Sequence, residues 1–328
     1  MGNKLPVVEV SGLRTRLKSR NGEIDAVDNV SFQLQRNERM ALVGESGSGK
    51  TITALSIMSL LPVNGRVVSG DIKINGRSVI GLKLSELRRM RGRDISMVFQ
   101  EPMMSLNPVH TIGKQLVEAI RLHQDLAVET ARSLAAELLD RVQIPDARNR
   151  LKDYPHQFSG GMCQRVMIAM ALANRPSVII ADEPTTALDV TTQAQILALL
   201  DEICIEDKMS VIFISHDLSV VASFCDQVAV MYAGRLIEYG PAEKVFEAPR
   251  HPYTKGLVGS MPPIDHDVDE LLPIPGEPPD LFQLDPGCTF APRCNFKESR
   301  CLKSRPELEL VFPGHYCACI CWDRLNPS

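Results

Sequence analysis

One run of residues near the start of the chain has the composition of a phosphate-binding loop: Gly44-Glu45-Ser46-Gly47-Ser48-Gly49-Lys50-Thr51. It matches the pattern G-x-x-x-x-G-K-[ST] at every defined position. In such a loop the glycines let backbone N–H groups approach phosphate oxygens, where a side chain would collide. The lysine ammonium reaches the outer phosphates, and the final hydroxyl ligates Mg²⁺. We therefore expect Lys50 and Thr51 to hold a polyphosphate and its magnesium ion.

The residues on either side of this loop predict the strand and the helix that the motif requires. Residues 40–43 form a short apolar run typical of a buried strand, and residues 52–58 form one typical of a helix. A helix that begins directly after the loop presents its partial positive charge to a bound anion. Because a chance glycine-rich turn lacks this context, we interpret the segment as a nucleotide-binding loop.

Two carboxylates, Asp182 and Glu183, follow the apolar run 178–181. Such a run is typical of a strand buried on both faces of a parallel sheet, and ligands bind beyond the carboxyl ends of such strands. Asp182 is placed to hold Mg²⁺ through its water shell, and Glu183 to polarise a water for attack on a γ-phosphate. The continuation Pro184-Thr185-Thr186-Ala187-Leu188-Asp189 disfavours the alternative of two acids that merely end a strand.

Two further segments have residue types that contact anions. The run Ser159-Gly160-Gly161 precedes an apolar helical run at 166–172, which makes it a second helix N-terminus suited to a phosphate. By itself such a triplet is more often a turn. His216 lies just beyond the apolar run 211–214. A lone histidine there is more often structural, but its order and spacing after Glu183 favour a functional role.

Length and composition indicate a globular chain. Its 328 residues allow one large domain with an appendage or two modest domains, and the 44% hydrophobic and 23% charged content is ordinary. The net charge of −4 disfavours strong electrostatic attraction to nucleic acid. No apolar run in the sequence reaches the roughly 18–20 residues that span a bilayer, and the first residues lack a secretory signal's apolar core. We therefore expect a cytosolic chain without its own membrane anchor.

The apolar pattern predicts a core, an inserted helical region and a tail. Strands alternate with helices, which indicates an α/β fold. Residues 111–148 turn helical, with Leu134, Leu138 and Val142 on one buried face. Residues 261–286 are rich in proline and contain no Lys or Arg, which is typical of an extended linker. The predicted strands are 7–10, 30–34, 40–43, 71–76, 95–99, 178–181, 211–214 and 228–232.

Cysteines crowd into the tail. Cys163, Cys204 and Cys225 are scattered earlier and are expected to be small buried residues. In a reducing cytosol a cluster holds a metal more often than it forms disulfides. The spacing C-x5-C-x6-C-x15-C lacks a zinc-ribbon pair, and four thiolates can hold either zinc or an iron–sulfur cube. Plain reduced thiols are a third alternative. The tail cysteines are Cys288, Cys294, Cys301, Cys317, Cys319 and Cys321.

In kind and order, these motifs resemble the nucleotide-binding subunit of an ABC transporter. The resemblance covers nearly the whole chain and rests on the loop 44–51, Gln100, Ser159-Gly160-Gly161, Asp182-Glu183, Asp189 and His216. It implies a P-loop ATPase core with a mixed sheet in residues 1–248, a helical subdomain at about 101–165, and a Cys-rich extension at 249–328. It also implies two subunits that meet head to tail around two ATP molecules.

The resemblance also implies a role for each motif residue. Gln100 senses the γ-phosphate and joins Thr51 and Asp182 at Mg²⁺, while His216 contacts the γ-phosphate and supports catalysis by Glu183. The remaining ATP contacts are Gly44, Glu45, Ser46, Gly47, Ser48, Gly49, Lys50, Ser159, Gly160, Gly161 and Asp189.

The chain departs from the general family pattern in two places. The family has Gln at the fifth position of the signature segment that contains Ser159-Gly160-Gly161. Here Met162 and Cys163 follow Gly161, and Gln164-Arg165 comes only after them. Residues 13–17 contain no aromatic to stack on adenine, so aliphatic surface such as Leu17 or Val27 takes that place.

A narrower resemblance is to the dipeptide and oligopeptide importers, and nickel importers share part of it. It rests on Gln100-Glu101-Pro102-Met103-Met104-Ser105-Leu106-Asn107-Pro108, on Arg250-His251-Pro252-Tyr253-Thr254-Lys255-Gly256-Leu257 and on the tail cysteines. In this family the cysteine motif implies a 4Fe–4S cluster, here at Cys288, Cys294, Cys301 and Cys317, with zinc as the alternative. Cys319, Cys321 and His315 compete for the fourth position.

The resemblance implies an ATP-hydrolysing subunit that energises import of di- or oligopeptides or a related small solute. The expected partners are two transmembrane permeases, a paralogous second ATP-binding subunit and, indirectly, an extracytoplasmic solute-binding protein, at the cytoplasmic face of the bacterial plasma membrane. The alternative is a soluble ABC ATPase acting on ribosomes or nucleic acid. Such proteins usually join two cassettes or insert a long coiled coil, and we expect no nucleic-acid partner. The cargo is chosen by the other subunits.

Overall fold

The computed structural model describes residues 5–186, 188–260 and 274–325. Its contacts divide the chain into two compact units. The first consists mainly of Lys73–Ile212, and the second of Glu9–Gln33, Glu38–Ile72 and the described residues from Phe213 onward. Among the helices within the described ranges, none has the length and apolar character that crossing a bilayer requires.

The strands and helices follow one another in the alternation that the sequence predicts. The strands are β1 (Val8–Ser19), β2 (Gly22–Leu34), β3 (Arg39–Val43), β4 (Gly65–Ile74), β5 (Arg77–Ser78), β6 (Ile95–Val98), β7 (Val178–Asp182), β8 (Ser210–Ile214), β9 (Gln227–Tyr232), β10 (Arg235–Pro241), β11 (Glu309–Phe312) and β12 (His315–Cys317). The α-helices are α1 (Lys50–Ile57), α2 (Leu84–Met90), α3 (Pro102–Ser105), α4 (Ile112–Arg121), α5 (Val128–Arg141), α6 (Ala147–Arg150), α7 (Gly160–Leu172), α8 (Val190–Glu206), α9 (Leu218–Phe224), α10 (Ala242–Glu247) and α11 (Pro252–Gly259).

In the second unit, a mixed sheet leads into the phosphate loop. Strand β3 pairs in parallel with β9, and β9 pairs in antiparallel fashion with β10. The C-terminal strands continue this sheet, because β12 pairs with β10 and β11 pairs with β12, both antiparallel. The predicted mixed sheet is therefore confirmed, and the C-terminal extension is built into it through the pairing of Glu238 with Cys317.

In the first unit, β6 and β7 pair in parallel, from Ile95 opposite Val178 to Val98 opposite Ala181. Every residue of β7 is buried, which confirms the strand predicted from its unbroken apolar run. Helix α7 packs against β6 and against α4 and α5. Helix α7 thus lies beside β6, the strand that pairs with β7, and β7 ends at Asp182 just before Glu183.

The helical region predicted at residues 111–148 forms α4, α5 and α6, but one of its faces was predicted wrongly. Leu134 and Leu138 are only half-buried, whereas Ala131, Ala135 and Leu139 are fully buried. Small alanines let a neighbouring helix approach closely, so a stripe chosen by its largest apolar residues misses the face in contact. Val142, the third predicted member, is buried.

The tail begins with the proline-rich stretch that the sequence predicts as an extended linker. Its described part, residues 274–286, contains neither helix nor strand, while residues 261–273 lie outside the described residues. The three scattered cysteines, Cys163, Cys204 and Cys225, are all buried, as predicted. The domain boundary at residue 248 and the limits of the helical subdomain, 101–165, stay predictions.

Candidate nucleotide-binding and catalytic site

The phosphate loop joins the end of β3 to the start of α1. Gly44, Gly47 and Gly49 have positive φ angles of 147, 77 and 105°. A Cβ atom at Gly44 would lie 2.2 Å from the carbonyl oxygen of Met231, and one at Gly49 would lie 2.6 Å from that of Ala26. Glycine is required at these two positions both by the backbone conformation and by the close approach of neighbouring strands.

The side chain of Lys50 is held by the loop itself. Its Nζ donates to the carbonyl oxygens of Gly44 at 2.7 Å and Glu45 at 2.9 Å, and to Ser48 Oγ at 3.4 Å. Lys50 is only 6% exposed, whereas Thr51 beside it is exposed. These contacts fix a positive charge at the N-terminal end of α1, where the helix dipole also favours an anion.

His216 lies near the same end of β3. The backbone N–H of Ser215 donates to the carbonyl oxygen of Leu42 at 3.4 Å, so the segment after β8 is anchored beside the strand that enters the loop. Asp217 follows and caps α9 through its carboxylate. Between these two fixed residues, His216 is exposed. Within the second unit, the structure thus brings His216 and the phosphate loop to the carboxyl end of one strand.

In the first unit, Glu183 follows directly on β7. Its Oε2 accepts hydrogen bonds from Gln100 Nε2 at 2.8 Å and from Thr186 Oγ1 at 2.9 Å. The φ angle of Glu183 is 45°, a left-handed conformation that costs energy outside glycine and persists where the surroundings hold it, often at functional sites. Asp182, just before it, is buried. The structure therefore joins Gln100 and Glu183, which the sequence places in separate motifs.

The Ser-Gly-Gly segment begins α7, as the sequence predicts. Ser159 is the N-cap, and its Oγ accepts from the N–H of Met162 at 3.3 Å. A Cβ at Gly161 would lie 2.7 Å from the Thr192 methyl carbon, so glycine allows α7 and α8 to meet here. Asp189 caps α8 by accepting from Thr192 N at 2.9 Å and Thr192 Oγ1 at 2.7 Å. These hydrogen bonds lower the pKa of Asp189.

The structure thus assembles two groups of predicted residues. Gln100, Glu183 and the neighbouring α7 and α8 N-termini belong to the first unit, and the phosphate loop with His216 belongs to the second. The carboxylate of Asp189 is engaged in capping α8, and its contact with a nucleotide stays a prediction.

Two residues that sequence reasoning missed contact Glu45 of the loop. Arg293 donates from Nη1 and Nη2 to the Glu45 carboxylate at 2.7 and 2.9 Å, and the Glu45 N–H donates to Tyr253 Oη at 2.7 Å. Arg293 is 248 residues from Glu45 along the chain, so local pattern carried no signal for this contact. The only hint was that both residues lie in the segments that resemble the importer extension.

The tail cysteines converge on a cavity, but not in the predicted set of four. Cys317 lies on β12 opposite Glu238 of β10 and is fixed there by strand pairing. Cys317 itself does not line the cavity, whereas Cys319, two residues beyond the end of β12, does, so the predicted fourth ligand stays a prediction with Cys319 as its competitor. The cysteines that line the cavity are Cys288, Cys294, Cys301, Cys319 and Cys321.

Several of these sulfurs accept backbone hydrogen bonds. The Sγ atoms of Cys294, Cys301 and Cys319 accept N–H groups at 3.3, 3.4 and 3.4 Å. A hydrogen bond to a sulfur favours the thiolate and so lowers the pKa of the thiol, whereas burial raises it. Burial is the larger effect here: it raises the pKa of the Cys294 thiol and raises that of Cys319 to about 12. Among the described residues, no three His, Cys, Asp or Glu side chains are grouped so that they could share a metal ion.

Comparison with known proteins identifies the family. Residues 27–186 match the family model described as ABC transporter, and residues 237–301 match the C-terminal region of the oligopeptide/dipeptide transporter family. A putative peptide import ATP-binding protein of Brucella abortus (strain 2308) is 50% identical over 93% of this chain and 92% of its own length. The oligopeptide transport ATP-binding protein OppD of Escherichia coli (strain K12) is 49% identical over 95% of this chain and 92% of its own length.

Solved structures agree. The dimeric ATP-binding cassette MJ0796 in a post-hydrolysis state with ADP and Pi superposes with a TM-score of 0.65 and 29% identity, over 72% of this chain and 98% of that one. CbiO1 of Clostridium perfringens, part of the ABC transporter complex cbiONQ, has a TM-score of 0.62 and 27% identity over 74% of this chain and 92% of its own. The chain therefore belongs to the ABC transporter family, as an ATP-hydrolysing subunit of its dipeptide and oligopeptide transporter branch.

Proposed function

We propose that this chain binds and hydrolyses ATP to drive an ABC importer of di- or oligopeptides or of a related small solute. The fixed ammonium of Lys50 at the start of α1 is the observation that carries the ATP assignment. The peptide assignment is supported by the relatives, which are peptide import and oligopeptide transport ATP-binding proteins at 50% and 49% identity.

The phosphate loop binds the nucleotide by exchanging its present contacts. Lys50 Nζ, which donates to the carbonyl oxygens of Gly44 and Glu45, has phosphate oxygens as stronger, charge-assisted acceptors. Thr51, Asp182 and Gln100 are the residues that we assign to Mg²⁺. When bound, this ion neutralises charge on the phosphates during transfer. His216, at the same end of β3, is assigned to the γ-phosphate.

Glu183 is the proposed general base. Gln100 and Thr186 both donate to its Oε2 and so hold the carboxylate in one orientation. A positioned carboxylate accepts the proton of a water as that water attacks the γ-phosphate. Because Gln100 also precedes α3, a change in its contact with Glu183 is passed directly to the helical region.

The partners follow from the transporter family. We propose two membrane permeases, a paralogous second ATP-binding subunit that meets this one head to tail, and a binding protein outside the cell, with this chain at the cytoplasmic face of the membrane. Support for a permease contact comes from Met103 and Met104, which follow Gln100 on α3 and are 49% and 81% exposed. Exposed apolar residues at this spacing suit a protein interface.

The cysteine cavity is proposed to hold a 4Fe–4S cluster, with zinc as the alternative. Cys288, Cys294, Cys301 and Cys319 are the proposed ligands, because all four line the cavity and three of their sulfurs accept backbone N–H groups. Among the described residues these side chains are not grouped tightly enough to share one metal ion, so the proposal also rests on the family resemblance and requires the four sulfurs to come closer together. Hydrogen bonds to the sulfurs are a feature that tunes such clusters. When bound, a cluster cross-links distant points of the tail and stabilises its fold.

The ATP assignment is tested by Lys50→Ala. Loss of a charge-assisted donor should weaken ATP binding by on the order of 100-fold, measured by calorimetry. Lys244→Ala is the matched control, since Lys244 Nζ donates to a carbonyl oxygen, that of Pro313, outside the loop. Unchanged ATP affinity in Lys50→Ala refutes the assignment of the loop.

A further inference from the structure

Arg293, in the C-terminal segment, binds Glu45, the second residue of the phosphate loop. Arg293 makes a two-pronged contact with the Glu45 carboxylate, at 2.7 and 2.9 Å. The side chain of Arg293 is 5% exposed and that of Glu45 is 27% exposed. Two parallel N–H···O bonds to one carboxylate fix direction as well as distance, so this pair restricts Glu45 more than a single ion pair does.

The guanidinium of Arg293 is itself fixed on its other sides. Its Nε donates to the carbonyl oxygen of Pro275 at 2.8 Å, and Nη1 approaches Tyr232 Oη at 3.4 Å. The aromatic rings of Tyr232 and Phe290 lie 5.9 and 5.8 Å from its central carbon. A buried guanidinium with this many contacts cannot reorient freely, so it acts as a fixed point rather than as a mobile surface charge.

The backbone of Glu45 is held from the same side. Its N–H donates to Tyr253 Oη at 2.7 Å, and Tyr253 is fully buried. The Tyr253 ring packs against Tyr232, with centroids 4.6 Å apart, and against Phe290 at 5.5 Å. One aromatic cluster therefore supports both groups that contact Glu45.

Tyr253 is positioned in turn by a chain of buried polar contacts. The N–H of Tyr253 donates to Nδ1 of His251, which caps α11. The N–H groups of His251 and Arg250 donate to the carboxylate of Glu238, at 2.9 and 2.7 Å. Glu238 is fully buried on β10, so the hydroxyl that meets the loop is tied to the central part of the sheet.

The loop needs such support because its own residues restrict it little. Gly44, Gly47 and Gly49 give the backbone more freedom than any other residue type. On the inner side of the loop, the carbonyl oxygen of Glu45 accepts from Lys50 Nζ at 2.9 Å and from the Ser48 N–H at 3.2 Å. If the glycine-rich loop were free, nucleotide binding would have to order it. The conformational entropy lost in that step would weaken the affinity for the nucleotide.

We infer that Arg293, together with Tyr253, is a positioning residue of the ATP site, which sets the conformation of the phosphate loop before the nucleotide binds. This inference rests on the proposed function of the loop. Arg293 acts through Glu45 and does not itself contact the phosphates. Since Arg293 immediately precedes Cys294 in the cysteine cavity, the tail is a part of the nucleotide site rather than an appendage to it.

The test compares Glu45→Gln, Arg293→Met and the double variant in the assembled transporter. If the positioned loop falls to about a tenth of the population, the apparent affinity for ATP falls about tenfold. We expect KM for ATP to rise about tenfold with kcat within about twofold, and the double variant to resemble the single ones because both remove one contact. Arg305→Met is the matched control, since Arg305 of the tail pairs with Asp28 of β2 at 3.3 Å.

Unchanged KM in Glu45→Gln overturns the inference, as does a double variant whose effect is the product of the two single effects. Glu45→Gln leaves the packing of Arg293 in place, so it decides the question even where Arg293→Met does not fold. Arg293→Lys keeps the positive charge but cannot donate two parallel hydrogen bonds to the Glu45 carboxylate, so it should give an intermediate KM for ATP. Failure of the proposed function gives a different result, because the wild-type protein would then not bind ATP at all.

Discussion

The residues of the ATP site are held by short local contacts as well as by their places in the motifs. Glu183 illustrates this, because one of its oxygens accepts from both Gln100 and Thr186 while its backbone adopts a left-handed conformation. Lys50 is likewise held by the carbonyl oxygens of its own loop. The contacts of Glu183 within the chain orient its carboxylate, which is what preorganised catalysis requires, whereas Lys50 exchanges its carbonyl contacts for phosphate oxygens when the nucleotide binds.

At this scale we predict the effect of Glu183→Gln, which keeps the shape of the side chain and removes its capacity to accept a proton. ATP hydrolysis by the assembled transporter should fall by on the order of 10²- to 10⁴-fold, the usual contribution of a general base, while ATP still binds. Phosphate release reports the rate, and calorimetry reports the binding. Glu202→Gln, at an exposed position on α8, is the control. Hydrolysis at the wild-type rate by Glu183→Gln would exclude Glu183 as the base.

Among the elements, strands with unbroken apolar runs were predictable and helix faces and long-range contacts were not. The run that became β7 is buried at every residue, so periodicity identified it directly. The face of α5 was chosen by Leu134 and Leu138, whereas packing through Ala131 and Ala135 decided it. The fourth cysteine was ranked by its fit to the spacing of the family motif.

Strand pairing explains why Cys317 is not among the cysteines that line the cavity. Cys317 forms the end of β12 and is fixed against β10, and the chain reaches the cavity only two residues later, at Cys319. Spacing along the sequence cannot show where a strand ends. In the same way, the contact of Arg293 with Glu45 joins residues 248 positions apart and depends on how the tail returns to the sheet.

The cysteine segment gives a prediction at this scale. Protein purified without oxygen should be brown and contain about four irons per chain, as a 4Fe–4S cluster requires. Cys319→Ser should lose the iron and the visible absorption, because its sulfur lines the cavity, whereas Cys317→Ser, on β12, should keep both. Iron lost from Cys317→Ser but kept by Cys319→Ser would restore the set expected from spacing. A colourless protein with one zinc would assign zinc, and a metal-free protein would contradict the proposed centre.

For the whole molecule, the C-terminal extension and the phosphate loop belong to one unit. Strands β11 and β12 extend the sheet in which β3 leads to the loop, and Arg293 and Tyr253 reach the loop itself. The extension therefore contacts the phosphate loop directly, which is the basis of the positioning role that we infer for Arg293 and Tyr253. The family places this unit in a transporter, where the energy of ATP is used by membrane subunits.

Reconstitution with the permeases tests that central claim most directly. The chain is assembled in proteoliposomes with the two permeases and the second ATP-binding subunit that we propose for it, and uptake of labelled oligopeptide is measured in the presence of the proposed binding protein. We predict ATP-dependent accumulation of peptide, with ATP hydrolysis stimulated by peptide-loaded binding protein and both lost in Lys50→Ala. ATP hydrolysis that is indifferent to permeases and peptide, but stimulated by ribosomes or nucleic acid, would contradict the account.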